Sequence, residues 1–229
     1  RDFCLSRGLG DVYKRQVYSL AVVQWSTFAG IDIDLVQVTA EPIKETYDHI
    51  REALSFLGEP KIKQKRNNNT LIFRMESEIP PVVPIHLKIE INCKEHFNVL
   101  PMQKIPFSVS NKWYKGGCDV LTYQLDELVG TKLRALYQRR KGRDLYDLYK
   151  ALTTKELNIV NVLKCYNLYM DFVVDHIPTY KEFIINMEDK MQDEEFLGDT
   201  KQLLRPDEHF NPQEGYEVVK TALIDRLQK

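Results

Sequence analysis

A pair of acids two residues apart, and a lysine set among leucines, are the positions of this chain best suited to chemistry. In residues 31–38, IDIDLVQV, strict alternation turns Ile31, Ile33 and Leu35 to one side of a strand and Asp32 and Asp34 to the other. Strands disfavour aspartate, and like charges on one face repel unless a cation lies between them. A hard divalent ion answers that need, because Mg²⁺ takes one or two carboxylates and completes its octahedron with water and phosphate oxygens. The paired-acid strand is therefore suited to metal-assisted phosphoryl or nucleotidyl transfer. A charged, solvent-facing edge strand is the competing explanation. Residues 85–92, IHLKIEIN, repeat the pattern, with Leu87, Ile89 and Ile91 opposed to Lys88, Glu90 and Asn92.

The lysine lies in residues 126–152, DELVGTKLRALYQRRKGRDLYDLYKAL. At about 100° per residue, Leu125, Leu128, Val129, Leu133 and Leu136 form one apolar arc, with Lys132 in its middle. An unpartnered buried ammonium costs several kcal/mol, so Lys132 needs either a route to water or an anion. Snorkelling is the plain alternative. A basic turn follows (Arg139, Arg140, Lys141, Gly142, Arg143), then a second helix carrying Asp144 and Asp147. These features suit a polyanion site. They also suit a solvated interhelical turn in which Gly142 takes a positive φ and Asp144 acts as an N-cap.

Taken together, DIDLVQV, the strand with Glu90, and TKLRALYQRRKGRDLYDLYKAL resemble successive signatures of the AbiEii/AbiGii (MenT-like) toxins. These are minimal nucleotidyltransferases of the DNA polymerase β superfamily, found in bacterial toxin–antitoxin and phage-defence systems. The resemblance implies an α+β fold: a nucleotidyltransferase-type mixed sheet with helices, then a helical C-terminal lobe. It implies that Asp32 and Asp34 bind Mg²⁺, that Lys132 contacts the NTP phosphates, and that Asp147 completes the catalytic surface. Asp144 and Glu90 are additional candidates. The implied reaction moves NMP from NTP to an RNA acceptor, the 3′ end of tRNA. Arg139, Arg140, Lys141 and Arg143 then offer themselves to RNA backbone phosphates, and a cognate antitoxin is the implied partner.

The N-terminus departs from that pattern. Such enzymes carry a Gly-Gly-Ser/Thr turn shortly before the paired aspartates, where backbone N–H groups cradle phosphates. Between Val17 and Asp32 only Gly30 is present. Residues 1–16 resemble a translated adapter sequence, a non-native leader. The reading is a gene fragment that has lost its first strand and glycine turn. This leaves a rival function, a catalytically inactive chain acting only as a nucleotide- or RNA-binding module. An interaction protein docking through its C-terminal helices is a second rival.

Composition bounds the rest. At 229 residues, 43% hydrophobic and 28% charged, the chain is an ordinary globular protein able to bury a substantial core. A net charge of −1 assigns nucleic-acid affinity to a local patch rather than to the whole-protein field. The cysteines Cys4, Cys93, Cys118 and Cys165 lack metal spacing and suit a reducing cytoplasm. The five histidines show no paired ligand spacing. No apolar run reaches the roughly 20 residues that span a bilayer, so no membrane partner is expected.

Stepping along the chain, residues 17–125 read as the nucleotidyltransferase lobe and 126–229 as a helical lobe, with the substrate expected in the cleft between them. Residues 41–57 read as an amphipathic helix, with Pro42 in its first turn and Gly58 its stop. A hairpin turns at Asn67-Asn68-Asn69, an edge strand covers 107–114, and Gly116-Gly117 reads as a loop. Helices are expected over 157–172, over 179–191 behind a Thr179/Glu182 capping box, over 199–204, and from Asn211-Pro212 to Leu227. Tyr166, Tyr169 and Phe172 could stack nucleobases, against the commoner use of aromatics at helical spacing as core.

Overall fold

The computed structural model describes residues 20–25, 31–77, 80–112, 115–201, 204 and 208–227. Two compact units meet at the peptide between Tyr123 and Gln124.

The first unit is built on a seven-stranded sheet among the described residues: β1 (Leu20–Trp25), β2 (Ile31–Gln37), β3 (Lys61–Lys65), β4 (Asn68–Glu76), β5 (Pro84–Asn92), β6 (Gln103–Ser110) and β7 (Lys115–Thr122). Their order is β3-β4-β5-β2-β1-β7-β6. The sheet is mixed: β2 runs parallel to β5 and β1 parallel to β7, while β1–β2, β3–β4, β4–β5 and β6–β7 are antiparallel. Alternation decides which side is dry. Ile33 and Leu35 of β2, Leu71 and Phe73 of β4, and Leu87, Ile89 and Ile91 of β5 are all buried. Helix α1 (Ile43–Ala53) closes this layer with Tyr47 and Ile50, and Leu54 just beyond its end joins them. Each such aliphatic side chain removed from water contributes about 1.5–3 kcal/mol. Pro42 stands one residue outside the helix as its N-cap, where its missing N–H costs nothing. Gly58, at φ 82°, turns the chain into β3.

A strand, β1, precedes β2 and pairs with it antiparallel. Two expectations are corrected here. The β3–β4 turn is Arg66-Asn67, because Lys65 and Asn68 already pair. Gly116 and Gly117 lie inside β7 rather than in a loop. A Cβ on Gly117 would come 2.8 Å from the Phe107 carbonyl oxygen, so glycine here admits a close neighbouring strand. The sequence at 26–30, with Gly30, and the leader at 1–16 lie outside the described residues.

The second unit is helical: α2 (Leu125–Gln138), α3 (Gly142–Thr154), α4 (Ile159–Asp171), α5 (Tyr180–Lys190), α6 (Glu194–Gly198) and α7 (Pro212–Ala222). Its core takes Val129, Leu133 and Leu136 from α2, Leu145 and Leu148 from α3, and Tyr166 and Met170 from α4. Gly130 lets α4 approach, since a Cβ there would meet Cys165 Cβ at 2.7 Å and the Val162 carbonyl at 2.8 Å. The Thr179/Glu182 capping box is present at the start of α5. Asn158, Asp193 and Asn211 cap α4, α6 and α7 through side-chain oxygens. Helix α6 ends at Gly198 and residues 199–201 do not continue it, while 202 and 203 of the helix expected over 199–204 lie outside the described residues. Tyr166 and Tyr169 are core residues, whereas Phe172 is exposed. No helix among the described residues is long and apolar enough to cross a membrane.

Candidate active site

One candidate cluster lies in the first unit. Parallel pairing sets Asp32 opposite Lys88 and Asp34 opposite Glu90, on the sheet face away from Ile33, Leu35 and Ile89. The Lys88 ammonium lies 3.7 Å from Asp32 Oδ2 and 3.3 Å from Glu90 Oε1. All three side chains keep roughly a third or more of their surface, so these contacts add no more than about 1 kcal/mol of stability. What the arrangement does is gather carboxylate oxygens on one wet face with a cation already drawn to them. Among the described residues, no group of three or more His, Cys, Asp or Glu is disposed to hold a metal ion. The all-oxygen pair Asp32/Asp34 nevertheless fits Mg²⁺, which asks a protein for only one or two carboxylates.

A second candidate cluster lies in the second unit, on the α2–α3 hairpin. Lys132 stands within α2 and Arg139 is the extended residue just past its C-terminal end, while Asp144 and Asp147 share a face of α3. Lys132 keeps 24% of its side-chain surface, and its Nζ lies 2.7 Å from Asp147 Oδ2 and 3.4 Å from Asp144 Oδ1. Both readings of the lysine therefore hold in part: its stem is packed, and its head meets acids. Asp144 has no exposed surface at all. A carboxylate so placed must be neutralised, and Arg139 does it with a fork: Nε to Oδ2 at 2.6 Å and Nη2 to Oδ1 at 2.6 Å. The hydrogen bonds to Asp144 hold the Arg139 pKa above its ordinary value.

Asp144 is thus not the N-cap of α3. That position belongs to Lys141, and Asp144 sits inside the first turn, where a helix N-terminus favours negative charge. Gly142 does not take a positive φ either. It is the buried first residue of α3, and a Cβ there would fall 2.1 Å from the Phe196 carbonyl oxygen. The rest of the basic turn is engaged by the same unit. Arg140 pairs with Asp189 and, at 2.9 Å, with Asp193. Lys141 lies 3.9 Å from Glu195. The Arg143 backbone N–H donates to Asp199 Oδ2 at 3.1 Å, and its guanidinium lies 3.9 Å from that oxygen.

Sequence reasoning missed Lys190. Its buried ammonium donates to the carbonyls of Leu136 and, at 2.8 Å, of Tyr137, closing the C-terminus of α2 just before the basic turn. Burial first, then the neighbouring Arg140, pushes its pKa down from 10.5 to about 8. It also missed Glu127, fully buried in the first turn of α2 and accepting the Tyr169 hydroxyl at 2.8 Å. The only signal for Glu127 was its place beside the apolar arc. Lys190 gave none.

The mixed sheet with its strand acids and the lysine–aspartate hairpin are the features on which the likeness to nucleotidyltransferases rests. The profile of the family described as "Nucleotidyl transferase AbiEii toxin, Type IV TA system" matches residues 31–222, and the chain belongs to that family. At family level it is a nucleotidyltransferase toxin with a nucleotide substrate and an antitoxin partner. Among solved structures, the chain is similar to MenT4, a nucleotidyltransferase toxin from Mycobacterium tuberculosis H37Rv, at 14% identity and TM-score 0.60, over 98% of this chain and 82% of that one. That likeness shows the fold. A nucleotidyltransferase candidate from H. pylori matches more loosely, at 11% identity and TM-score 0.47, over 96% of this chain and 88% of that one. No curated protein sequence matches the chain.

Proposed function

We propose that this protein transfers an NMP from an NTP to a hydroxyl of an RNA acceptor, the 3′ end of tRNA, releasing pyrophosphate. The observation that carries the reading is the Lys132 ammonium, held at a quarter-exposed position within a family-matched hairpin by the less buried of two acids. An exposed carboxylate is a partner that an incoming polyphosphate can replace, whereas a fully buried one is not.

In this reaction Asp32 and Asp34 hold Mg²⁺, with Glu90 beside them, and Lys132 neutralises charge on the triphosphate. The bound ion supplies charge stabilisation to the phosphate oxygens. Asp147, once Lys132 turns to phosphate, carries a free carboxylate able to take the proton of the attacking hydroxyl. The oxygen–phosphorus bond to the acceptor forms at the α-phosphorus as the bond to pyrophosphate breaks. Positioning and charge stabilisation supply most of the acceleration. Asp144, without exposed surface, is suited to holding the hairpin rather than to touching substrate. Of the basic turn, Arg140, Lys141 and Arg143 are the candidates for RNA phosphates, in exchange for the acids they now meet, whereas Arg139 is committed to the buried Asp144. Modifying tRNA 3′ ends would block aminoacylation and arrest growth, which fits a toxin restrained by an antitoxin and a role in phage defence in the cytoplasm.

The experiment is direct: incubate the protein with Mg²⁺, each labelled NTP in turn and total tRNA, then repeat with Asp34→Ala. The expected result is label on tRNA from one or two NTPs, lost in the variant. Metal-independent nucleotide binding without transfer, equal in both proteins, would favour the binding-module reading instead.

A further inference from the structure

We infer that Arg139 is a positioning residue for Lys132, acting through Asp144 rather than by contact with RNA or nucleotide; this rests on the reading that Lys132 meets the NTP phosphates. Lys132 of α2 and Arg139, the residue just past its end, both reach the buried Asp144 carboxylate, and they do so unequally. Arg139 engages both oxygens at 2.6 Å, while Lys132 approaches one oxygen at 3.4 Å. Lys132 gives its shorter contact, 2.7 Å, to Asp147, a third of which is exposed.

The asymmetry has an electrostatic consequence. A carboxylate with no exposed surface exerts its field through a poorly screening medium, so it must find a full counter-charge nearby. The planar fork of Arg139 supplies one, in the bidentate geometry that lysine cannot match. Asp144 then has little further hold on Lys132, and the lysine is left with a partner that solvent already reaches. Remove Arg139, and Lys132 becomes the only one of these two cations able to neutralise Asp144. The ammonium is drawn inward and its charge is spent on the protein instead of on phosphate. The hairpin makes the device possible: Lys132 reaches Asp144 from within α2, Arg139 reaches it from the residue just past the end of α2, and 144 and 147 share one face of α3.

The test is calorimetric titration of the full chain with inorganic triphosphate at low ionic strength. Lys132→Ala is measured first; unchanged affinity would overturn the assignment of Lys132 to phosphate, and this inference with it. With that loss established, Arg139→Gln should weaken binding about tenfold or more although Lys132 is still present. Removing the buried charge as well, in Arg139→Gln/Asp144→Asn, should restore affinity to within about threefold of the parent, and Arg139→Lys should recover part of it. A structural role for Arg139 apart from its pairing with Asp144 predicts a double variant no better than the single one, and a role in fold stability alone predicts that the loss and recovery of triphosphate affinity are mirrored in the melting temperature and vanish once folded fractions are matched. On the Asp144→Asn background, Arg139→Gln should cause no further change, a comparison that stands even if the single variant fails to fold. A further loss there would mean that Arg139 contacts phosphate itself, and would overturn the inference.

Discussion

The Lys132 ammonium lies 2.7 Å from Asp147 Oδ2, across the two helices of one hairpin. The pair joins a lysine taken from the middle of an apolar arc to an acid that keeps contact with solvent. Such a pair adds little stability, because a partly exposed ion pair is screened and its side chains lose freedom in making it. Its geometry is better suited to holding a charge ready than to holding the fold together.

Replacing Lys132 with methionine should therefore separate activity from stability. Methionine keeps most of the stem packing, and Asp144 retains Arg139 as its counter-charge. Transfer of labelled nucleotide should fall about 100-fold or more, the scale of losing one charge-stabilising donor. The melting temperature should fall by only a few degrees, since about 1 kcal/mol is at stake. A gel assay and a thermal scan on the same preparation check both halves. Full activity in Lys132→Met would end the proposed role.

Lys190 should make itself known through pH. Its pKa is about 8 in the folded chain and 10.5 when exposed, so between these values the unfolded chain binds the extra proton. Its contribution to stability is therefore lowest and flat below about 8, and rises as pH climbs toward 10.5. The stability gap between the parent and Lys190→Met should widen by on the order of 2 kcal/mol between pH 7 and pH 10. Urea melts of both proteins at a series of pH values measure it. A gap that narrows with rising pH would show the amine keeping its proton through the Leu136 and Tyr137 carbonyls.

Gly142→Ala should be costly for a reason unrelated to helix propensity. The new methyl would be placed 2.1 Å from the Phe196 carbonyl oxygen, a backbone atom that cannot rotate away. Overpacking of this kind costs about 1–3 kcal/mol, or a melting temperature lower by roughly 5–15 °C for a unit of about a hundred residues. An unchanged melting temperature would mean that α3 and α6 part more easily than their packing suggests.

Lys88→Met should strengthen cation binding on the strand face. Its ammonium is the positive charge set between Asp32 and Glu90, and removing it leaves the carboxylates to an added ion. Mg²⁺ affinity, read by calorimetry at low salt, should rise severalfold, while stability shifts by less than about 1 kcal/mol. Weaker Mg²⁺ binding in the variant would mean that Lys88 positions the acids rather than competing with the ion.

How far the sequence reaches can be judged from these residues. The faces of β2 and β5 were legible because a strand's period of two sorts Asp32 and Asp34 from Ile33 and Leu35 without reference to anything distant. The spans of α2 and α3 followed from a period of 3.6, and the Thr179/Glu182 box from a local hydrogen-bond pattern. β7 was not legible, because Gly116 and Gly117 carry a turn-like signature that only a closely packed β6 converts into strand. Gly142 misled for the same reason: its need is space beside Phe196, not a left-handed φ.

Local periodicity alone thus determined which residues present chemistry and on which face of which element they stand. Tertiary packing decided which charge meets which. Several acids and cations compete within the hairpin and its neighbours, and sequence spacing does not rank them. Asp144 takes Arg139 because α3 buries that carboxylate where a fork can reach both oxygens. Lys190 closes α2 because folding brings together segments 53 and 54 residues apart. Burial sets the cost of leaving each charge unpaired, and burial exists only once the helices have packed.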